Sequence, residues 1–375
     1  MTTHILLVSK QAAPNLLPAL DPALKPDEAV LLVSRSMTAQ ADNLTAVLTE
    51  AGIKVTRIEL QDEHDYGQLS EALLNVAAQR EGQTLVLNVT GGTKLMALAA
   101  QSVAQAAGWQ AFYVDADTDE VIWLNAESRR QPLAQQLRLR HYLRGYGFTL
   151  PQDITRPPAK LRHANLIQTL LRQIGSLEVP LSQLNWIGQV AEDAQRLQAK
   201  LTPAQQDSRS LEALLRNFED AGVLTVQGEN LLFSSEADRD FAKGGWLEAH
   251  VFQTVSEQTN ALGIRDKAAN LKVQDLTGVH NELDVAFLAR NRLFVIECKT
   301  ARMDKPEAPK ANDALYKLTE ISRRVGGLGT QCMLASYRPL RDTEKRLAKA
   351  LHIEIVCGEA LTRLPEKLKA WVRPN

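Results

Sequence analysis

The chain has little that would tie it to a membrane, an oxidising compartment or a polyanion-coating role. Its apolar runs, such as Ala29 to Val33, fall far short of the ~20 residues that span a bilayer. Met1-Thr2-Thr3-His4 lacks a basic n-region, so neither a secretory leader nor a membrane role is expected. Only three cysteines occur, Cys298, Cys332 and Cys357, at spacings that fit neither a disulfide framework nor a CxxC metal knuckle. A reducing compartment, by default the cytoplasm, is the expectation. An excess of one charge is missing as well: 43 Lys plus Arg against 44 Asp plus Glu leave a net −1, which disfavours a histone-like binder. Internal repeats and low-complexity tracts are absent, and 45% hydrophobic residues disfavour disorder. What remains is a globular chain of 375 residues, long enough for two or three domains at roughly 150 residues each.

The near-zero charge conceals unlike parts. Residues 1–150 carry −4, residues 151–240 carry −3 and residues 241–375 carry +6. Only the last third is basic. A smaller excess at Arg129, Arg130, Arg138, Arg140 and Arg144 reads as a solvated helix face.

Short β-branched runs alternate with helical periodicity from the N-terminus onward. His4–Ser9, Ala29–Ser34, Lys54–Leu60, Thr84–Val89 and Gln110–Val114 read as strands. Thr38–Ala51, Tyr66–Arg80 and Thr93–Ala107 read as crossover helices. A Rossmann-like, doubly wound α/β domain over 1–150 follows. Asp117-Thr118-Asp119 reads as the turn of a terminal hairpin to Val121–Leu124. Pro151, Pro157 and Pro158 mark a linker. Helices over Leu161–Ile174, Leu181–Leu197 and Ser208–Ala221, then a hairpin around Gly228-Glu229-Asn230, give a winged-helix-like unit over 151–240. Its net acidity makes a structural spacer at least as fitting as DNA reading. Residues 241–375 form a third α/β unit. Its order is helix (Trp246–Gln258), strands (Leu271–Leu276, Glu282–Ala289, Arg292–Thr300), helix (Ala308–Val325), strand (Gln331–Ser336), helix (Leu340–Leu351) and strand (His352–Val356).

The third unit holds the most informative constellation. Two apolar strands meet at Arg290-Asn291, and a tight hairpin there pairs Asp284 with Glu297 and Glu282 with Lys299, all on one face. Opposed residues have Cβ atoms about 4.5–5.5 Å apart, where two carboxylates repel unless a cation intervenes. Mg²⁺ or Mn²⁺ prefers such oxygen ligands, supplemented by water and phosphate. Lys299, two residues beyond Glu297, points to the same side and could orient water or stabilise charge on a phosphate. Glu297-Cys298-Lys299 is the only Glu-x-Lys in the chain. Glu248, on an amphipathic helix, is a further candidate ligand, and Lys317 a weaker phosphate contact. His250 and His280 read as ordinary residues. These residues resemble the PD-(D/E)XK nuclease superfamily, whose core runs helix, three-stranded meander, helix, strand. The resemblance implies that Asp284 and Glu297 bind metal and that Lys299 is the family lysine. Leu283 stands where the superfamily's nominal proline would precede Asp284.

The first unit offers a different chemistry. Asn88-Val89-Thr90-Gly91-Gly92-Thr93-Lys94 follows a buried strand and opens a helix, where backbone amides and the helix dipole favour anions. Neither GxxxxGK[ST] nor GxGxxG is present, so ATP hydrolysis and dinucleotide binding lose support. Ser9-Lys10-Gln11 and Ser34-Arg35-Ser36 end neighbouring strands on the edge where open α/β sheets bind ligands. The segment resembles CARF domains, the sensors of type III CRISPR systems. Paired with the nuclease-like unit, it resembles CRISPR-associated nucleases activated by cyclic oligoadenylate. That resemblance implies a homodimer with a cyclic tetra-adenylate-like ring on its two-fold axis. Thr90, Gly91, Gly92, Thr93 and Lys94 would hold phosphates and riboses, with Ser9, Lys10, Arg35 and Ser36 as further contacts. The implied reaction is metal-dependent hydrolysis of single-stranded DNA or RNA, or nicking of DNA. Two other readings compete: a ligand-controlled winged-helix transcription regulator with an inert last domain, and an unregulated restriction or repair endonuclease. The second leaves the first 150 residues unexplained.

Overall fold

The computed structural model describes residues 1–115, 118–124, 129–134, 137–150, 163–300 and 310–372. Asp117, the prolines at 151, 157 and 158, and the expected helix starts at Leu161 and Ala308 lie outside those residues.

The first unit runs β1 (Thr2–Leu7), α1 (Ala13–Leu20), β2 (Glu28–Val33), α2 (Thr38–Glu50), β3 (Lys54–Glu59), α3 (Tyr66–Gln79), β4 (Thr84–Asn88), α4 (Lys94–Ala106) and β5 (Gln110–Asp115), followed by β6 (Glu120–Trp123) and β7 (Arg130–Pro132). Strand order is β3-β2-β1-β4-β5-β6-β7, parallel through β5 and antiparallel beyond it. Every residue of β2 is buried, as in a parallel sheet covered on both faces. Alternation assigns the faces: Ala29, Leu31 and Val33 pack with α1 and α2, whereas Val30 and Leu32 pack with α3 and α4. Sequence periodicity misses α1, because Pro14 and Pro18 interrupt an eight-residue helix; a proline in the first turn costs no hydrogen bond. It also misses β7, a three-residue polar edge strand.

Two short elements leave this unit: α5 (Leu139–Gly145) and β8 (Phe148–Thr149). The middle unit then runs α6 (Ala164–Arg172), α7 (Glu178–Asp193), β9 (Gln198–Lys200), α8 (Pro203–Gln206), α9 (Arg209–Asp220), β10 (Leu224–Gln227), β11 (Asn230–Phe233) and α10 (Glu236–Asp240). Its sheet is β10-β11-β9. This helices-then-wing arrangement is winged-helix-like, with Gly228 at φ +61° turning the wing.

The last unit runs α11 (Trp246–Glu257), β12 (Ile264–Asp275), β13 (His280–Ala289), β14 (Arg292–Lys299), α12 (Lys310–Gly326), β15 (Gln331–Ser336), α13 (Asp342–Ala350), β16 (Ile353–Cys357) and α14 (Leu364–Val372). Strands β12, β13 and β14 form an antiparallel meander, and β15 and β16 add in parallel. The sixth strand is β8, paired with β12 through Thr149↔Gln274 and Phe148↔Asp275. Val285, Phe287, Phe294 and Ile296 face the core shared with the middle unit. Ala286, Leu288, Leu293 and Val295 face one shared with Leu16, Leu139 and Tyr142 of the first unit. The nuclease-like sheet is thus clasped between the two preceding units. Part of the arginine cluster read as a solvated face builds this clasp, since Arg138 donates to the Arg265 carbonyl. Arg130 and Arg144 pair with Glu120 and Glu50.

Candidate active site and ligand-binding loops

The β13–β14 ladder keeps the hairpin register expected from sequence but stops at Val285↔Ile296, one pair before Asp284 and Glu297. Beyond that point β14 continues beside β15, with Glu297↔Leu334 and Lys299↔Ser336, while β13 stays beside β12, with Lys272↔Glu282. Glu282 therefore lies opposite Lys272 in the ladder and not opposite Lys299. A fork opens, and Asp284 fills it: its Oδ2 accepts the Cys298 backbone N–H at 2.7 Å. Glu297 sits beside it with its side chain 15% exposed, and Lys299 Nζ lies 2.5 Å from Glu297 Oε1. Glu248 reaches the same cluster from α11. The alternation that buries Val285 and Ile296 on one face places Asp284, Glu297 and Lys299 on the other.

Electrostatics follow from crowding three acids around one lysine. Burial, then the charges of Glu297 and Glu248, push the Asp284 carboxyl up to about 7. Burial and the neighbouring Glu282 and Glu297 also raise Glu248. Burial alone would lower Lys299, but Glu297 and Asp284 hold its ammonium above the ordinary range. Cys298 points to the opposite face, where burial pushes its thiol well up and leaves it inert. Among the described residues no group of three or more His, Cys, Asp or Glu is placed to hold a metal. The donor set nonetheless suits a hard cation, because Mg²⁺ and Mn²⁺ need only one or two carboxylates and keep several waters. Lys317 is exposed on α12, His280 is exposed, and burial holds the His250 imidazole below its ordinary range.

A folded-state pKa of about 7 against 3.8 unfolded means that Asp284 binds a proton in the folded state between those values. Metal-free stability therefore falls as pH rises through that window. A cation held there would require the carboxylate, so its affinity would rise over the same range. Melting curves should show a larger upward shift from Mn²⁺ at pH 8 than at pH 6; equal shifts would contradict the assignment of Asp284.

In the first unit the order β3-β2-β1-β4 sets three loops side by side at the carboxyl edge of the sheet. Lys10, Arg35, Ser36 and Lys94 are exposed there, and Ser9, Gly92 and Thr93 are half-buried. Thr93 caps α4, its Oγ1 accepting the Met96 N–H at 3.2 Å. Thr90 is already engaged: its hydroxyl donates to Asn88 Oδ1 and accepts from Val114 N, both at 2.7 Å. Gly91 is buried, and a Cβ there would stand 2.0 Å from the Leu7 carbonyl oxygen. Thr90 and Gly91 thus hold the loop's shape, and the exposed side chains beside them face solvent.

Sequence reasoning missed what supports this loop. Asn88 is fully buried, and its Nδ2 donates to Pro14 O at 2.9 Å and to Asn15 Oδ1 at 3.0 Å. Asn15 in turn donates to Leu7 O at 3.0 Å. An asparagine ending an otherwise apolar strand was the available signal. Its partner lies on α1, the helix hidden by prolines.

Residues 3–142 match the family described as the Card1 CARF domain, and residues 235–374 match the Card1-like endonuclease domain. The chain joins a CARF domain to a Card1-like endonuclease domain. Among solved structures, protein VC1899 from Vibrio cholerae is similar at 26% identity and a TM-score of 0.90, covering 100% of this chain and 99% of that one. Can2 from Sulfobacillus thermosulfidooxidans, in complex with cyclic tetra-adenylate, is similar at 25% identity and a TM-score of 0.84, with 100% of both chains covered. A type III CRISPR defence DNA nuclease activated by cyclic oligoadenylate shares the fold at 19% identity and a TM-score of 0.56, over 90% of this chain and 45% of that one. No curated protein sequence matches. The endonuclease domain contains the Asp284, Glu297 and Lys299 cluster, and the CARF domain contains the three polar loops. Among the described residues no helix is long and apolar enough to cross a membrane.

Proposed function

We propose that the chain is a cyclic-oligoadenylate-activated, divalent-metal-dependent endonuclease of type III CRISPR antiviral defence, cutting single-stranded DNA or RNA or nicking DNA. The observation that carries this reading is the fork at Asp284 and Glu297. It crowds two half-buried carboxyls beside Lys299, in a chain resembling Can2 over its full length. Asp284 and Glu297 would hold Mg²⁺ or Mn²⁺, which when bound polarises a phosphoryl oxygen and makes water a better nucleophile. Lys299 Nζ supplies positive charge where negative charge develops on the phosphate. Glu248, raised by burial, is placed to hold a proton beside that group. No side chain of the cluster is needed as a covalent nucleophile. The regulator reading leaves this cluster without a role.

Activation would begin at Ser9, Lys10, Arg35, Ser36 and residues 90–94, which are set to take the phosphates and riboses of a cyclic tetra-adenylate. Exposed Leu95 and Leu98 on α4, with Leu74 on α3, support a homodimer across which a symmetric ring could lie. Two intrachain contacts connect the loop after β1 to the endonuclease domain. Gln11, in the loop after β1, meets Tyr146 Oη at 3.4 Å, and Tyr142 Oη donates to the Gly326 carbonyl at the end of α12 at 3.1 Å. A Cβ on the adjoining Gly327 would stand 2.3 Å from Gln11 Oε1, so loop and endonuclease domain touch. Separately, Asp119 of the CARF hairpin faces Asn291, Arg292 and Arg290, the turn whose strands carry Asp284 and Glu297.

The test incubates the purified chain with labelled single-stranded DNA, RNA and supercoiled plasmid, with and without Mn²⁺ and cyclic oligoadenylates, beside Glu297→Ala. Cleavage persisting in Glu297→Ala would refute the site, and cleavage indifferent to every cyclic ligand would refute the gating. The Gln11 contact gives a finer expectation. Tyr146→Phe should reduce the fold-activation by cyclic tetra-adenylate about fivefold, the worth of one hydrogen bond near 1 kcal/mol. Ligand affinity and ligand-free cleavage should be unchanged.

A further inference from the structure

The end of β14 leads from the fork to a cleft that the cluster does not use. Thr300, the residue after Lys299, has its Oγ1 3.1 Å from the Asn185 amide of α7. On the β15 side, Tyr337 N donates to the Lys299 carbonyl at 2.9 Å. One residue beyond each contact stands a wall of the same cleft: Trp186 follows Asn185, and Arg338 follows Tyr337. With Val179, Ser182, Gln183 and Gln205 they line about 370 Å³, within the ~300–1,000 Å³ usual for small-molecule sites.

Three features of this cleft are unusual for an idle surface. Trp186 is 53% exposed, although tryptophan is normally well buried. Arg338 is 8% exposed and braced against α7, its Nη2 donating to Ser182 Oγ at 2.7 Å and to the Glu178 carbonyl, yet its buried Nε has no partner. Gln183 Oε1, also buried, has none either. A flat aromatic face thus stands beside unspent hydrogen-bonding capacity.

We propose that this cleft is a base-binding subsite, in which Trp186 stacks on an unstacked nucleobase of the strand adjoining the scissile phosphate. The proposal rests on the endonuclease reading and extends it to substrate recognition. A nucleobase fits better than a phosphate. The middle segment is net −3 and Glu178 lies 4.0 Å from Arg338 Nη1, so little free positive charge remains for an anion. A base offers a π-face for Trp186 and polar edges for Gln183 and Gln205. Stacking on one aromatic side chain is tolerant of sequence and worth on the order of tenfold in affinity. The Lys299–Tyr337 backbone contact ties the Arg338 wall of the cleft to the carboxyl end of β14, the end of the sheet that carries Lys299. The subsite therefore selects single-stranded or locally opened substrate, because a paired and stacked base cannot present its face to Trp186.

The test uses the full-length chain carrying Glu297→Gln, so that binding is read without cleavage, and a fluorescein-labelled single-stranded oligonucleotide followed by anisotropy. Trp186→Ala should weaken binding about tenfold, and Trp186→Phe should restore most of it. An oligonucleotide made abasic throughout its central third should bind the parent and Trp186→Ala alike, an outcome that a general folding defect would not produce. In the cleaving chain, the Trp186→Ala loss should fall on KM. Unchanged affinity in Trp186→Ala, or an equal loss for intact and abasic strands, would overturn the subsite. So would a Trp186→Ala chain that changes its mass in sedimentation while keeping its affinity, which would show that a second copy covers α7. If the parent binds the strand but the Glu297-containing chain cuts nothing with any metal, the endonuclease reading fails. The anisotropy comparison still decides the subsite.

Discussion

Replacing Glu297 by glutamine should lower metal-supported cleavage by more than about 100-fold, since even an outer partner of a metal ligand is typically worth 10–100-fold. The substitution keeps size and removes one of the two carboxylates at the β13–β14 fork. Lys299→Ala should cost a similar ~10²–10³-fold, the usual worth of one electrostatic contact to the reacting group. The two variants differ in cause, and calorimetry separates them. Glu297→Gln should lose Mn²⁺ binding. Lys299→Ala should keep it, because removing an ammonium 2.5 Å from Glu297 Oε1 leaves the carboxylates freer to take a cation. Loss of metal binding in Lys299→Ala alone would reverse these roles.

Gly91→Ala should abolish activation by cyclic tetra-adenylate and weaken its binding by more than tenfold in titration calorimetry. The new Cβ would fall 2.0 Å from the Leu7 carbonyl oxygen, a backbone atom held by β1 and by Asn15. The loop would have to lift off the strand, carrying Gly92, Thr93 and Lys94 with it. Gly82→Ala is the control for backbone strain without a clash, because Gly82, unlike Gly91, has positive φ and has nothing within 4 Å of its Cβ position. Cleavage without ligand should persist in both variants, since neither glycine touches the endonuclease sheet. Normal ligand affinity in Gly91→Ala would show that the loop after β4 is not the binding loop.

Strands with period-two or unbroken apolar runs were legible because burial on one or both faces demands that composition, as in β2 and β14. The hairpin register was legible for the same reason: slipping it by one residue would turn Val285, Phe287, Phe294 and Ile296 to the wrong face. Elements held by tertiary contact were not legible. Helix α1 contains two prolines, β8 has two residues, and β9 and β7 have three each. None carries a periodic signal, and each exists because a neighbouring sheet or helix supplies its partners.

The same division applies to function. Sequence alone determined which residues have the chemistry: a lone Glu-x-Lys 13 residues after Asp284, and a Thr-Gly-Gly-Thr-Lys turn ahead of a helix. Those are local patterns, written in residue type and short spacing. Only the tertiary structure decided that β14 parts from β13 at Asp284, that Glu248 arrives from α11, and that Asn88 finds Asn15. Only it set Trp186 beside Arg338 and pressed the CARF loops against the endonuclease domain. Such contacts join residues up to hundreds of positions apart, and their energy comes from packing and desolvation that no short window of sequence records.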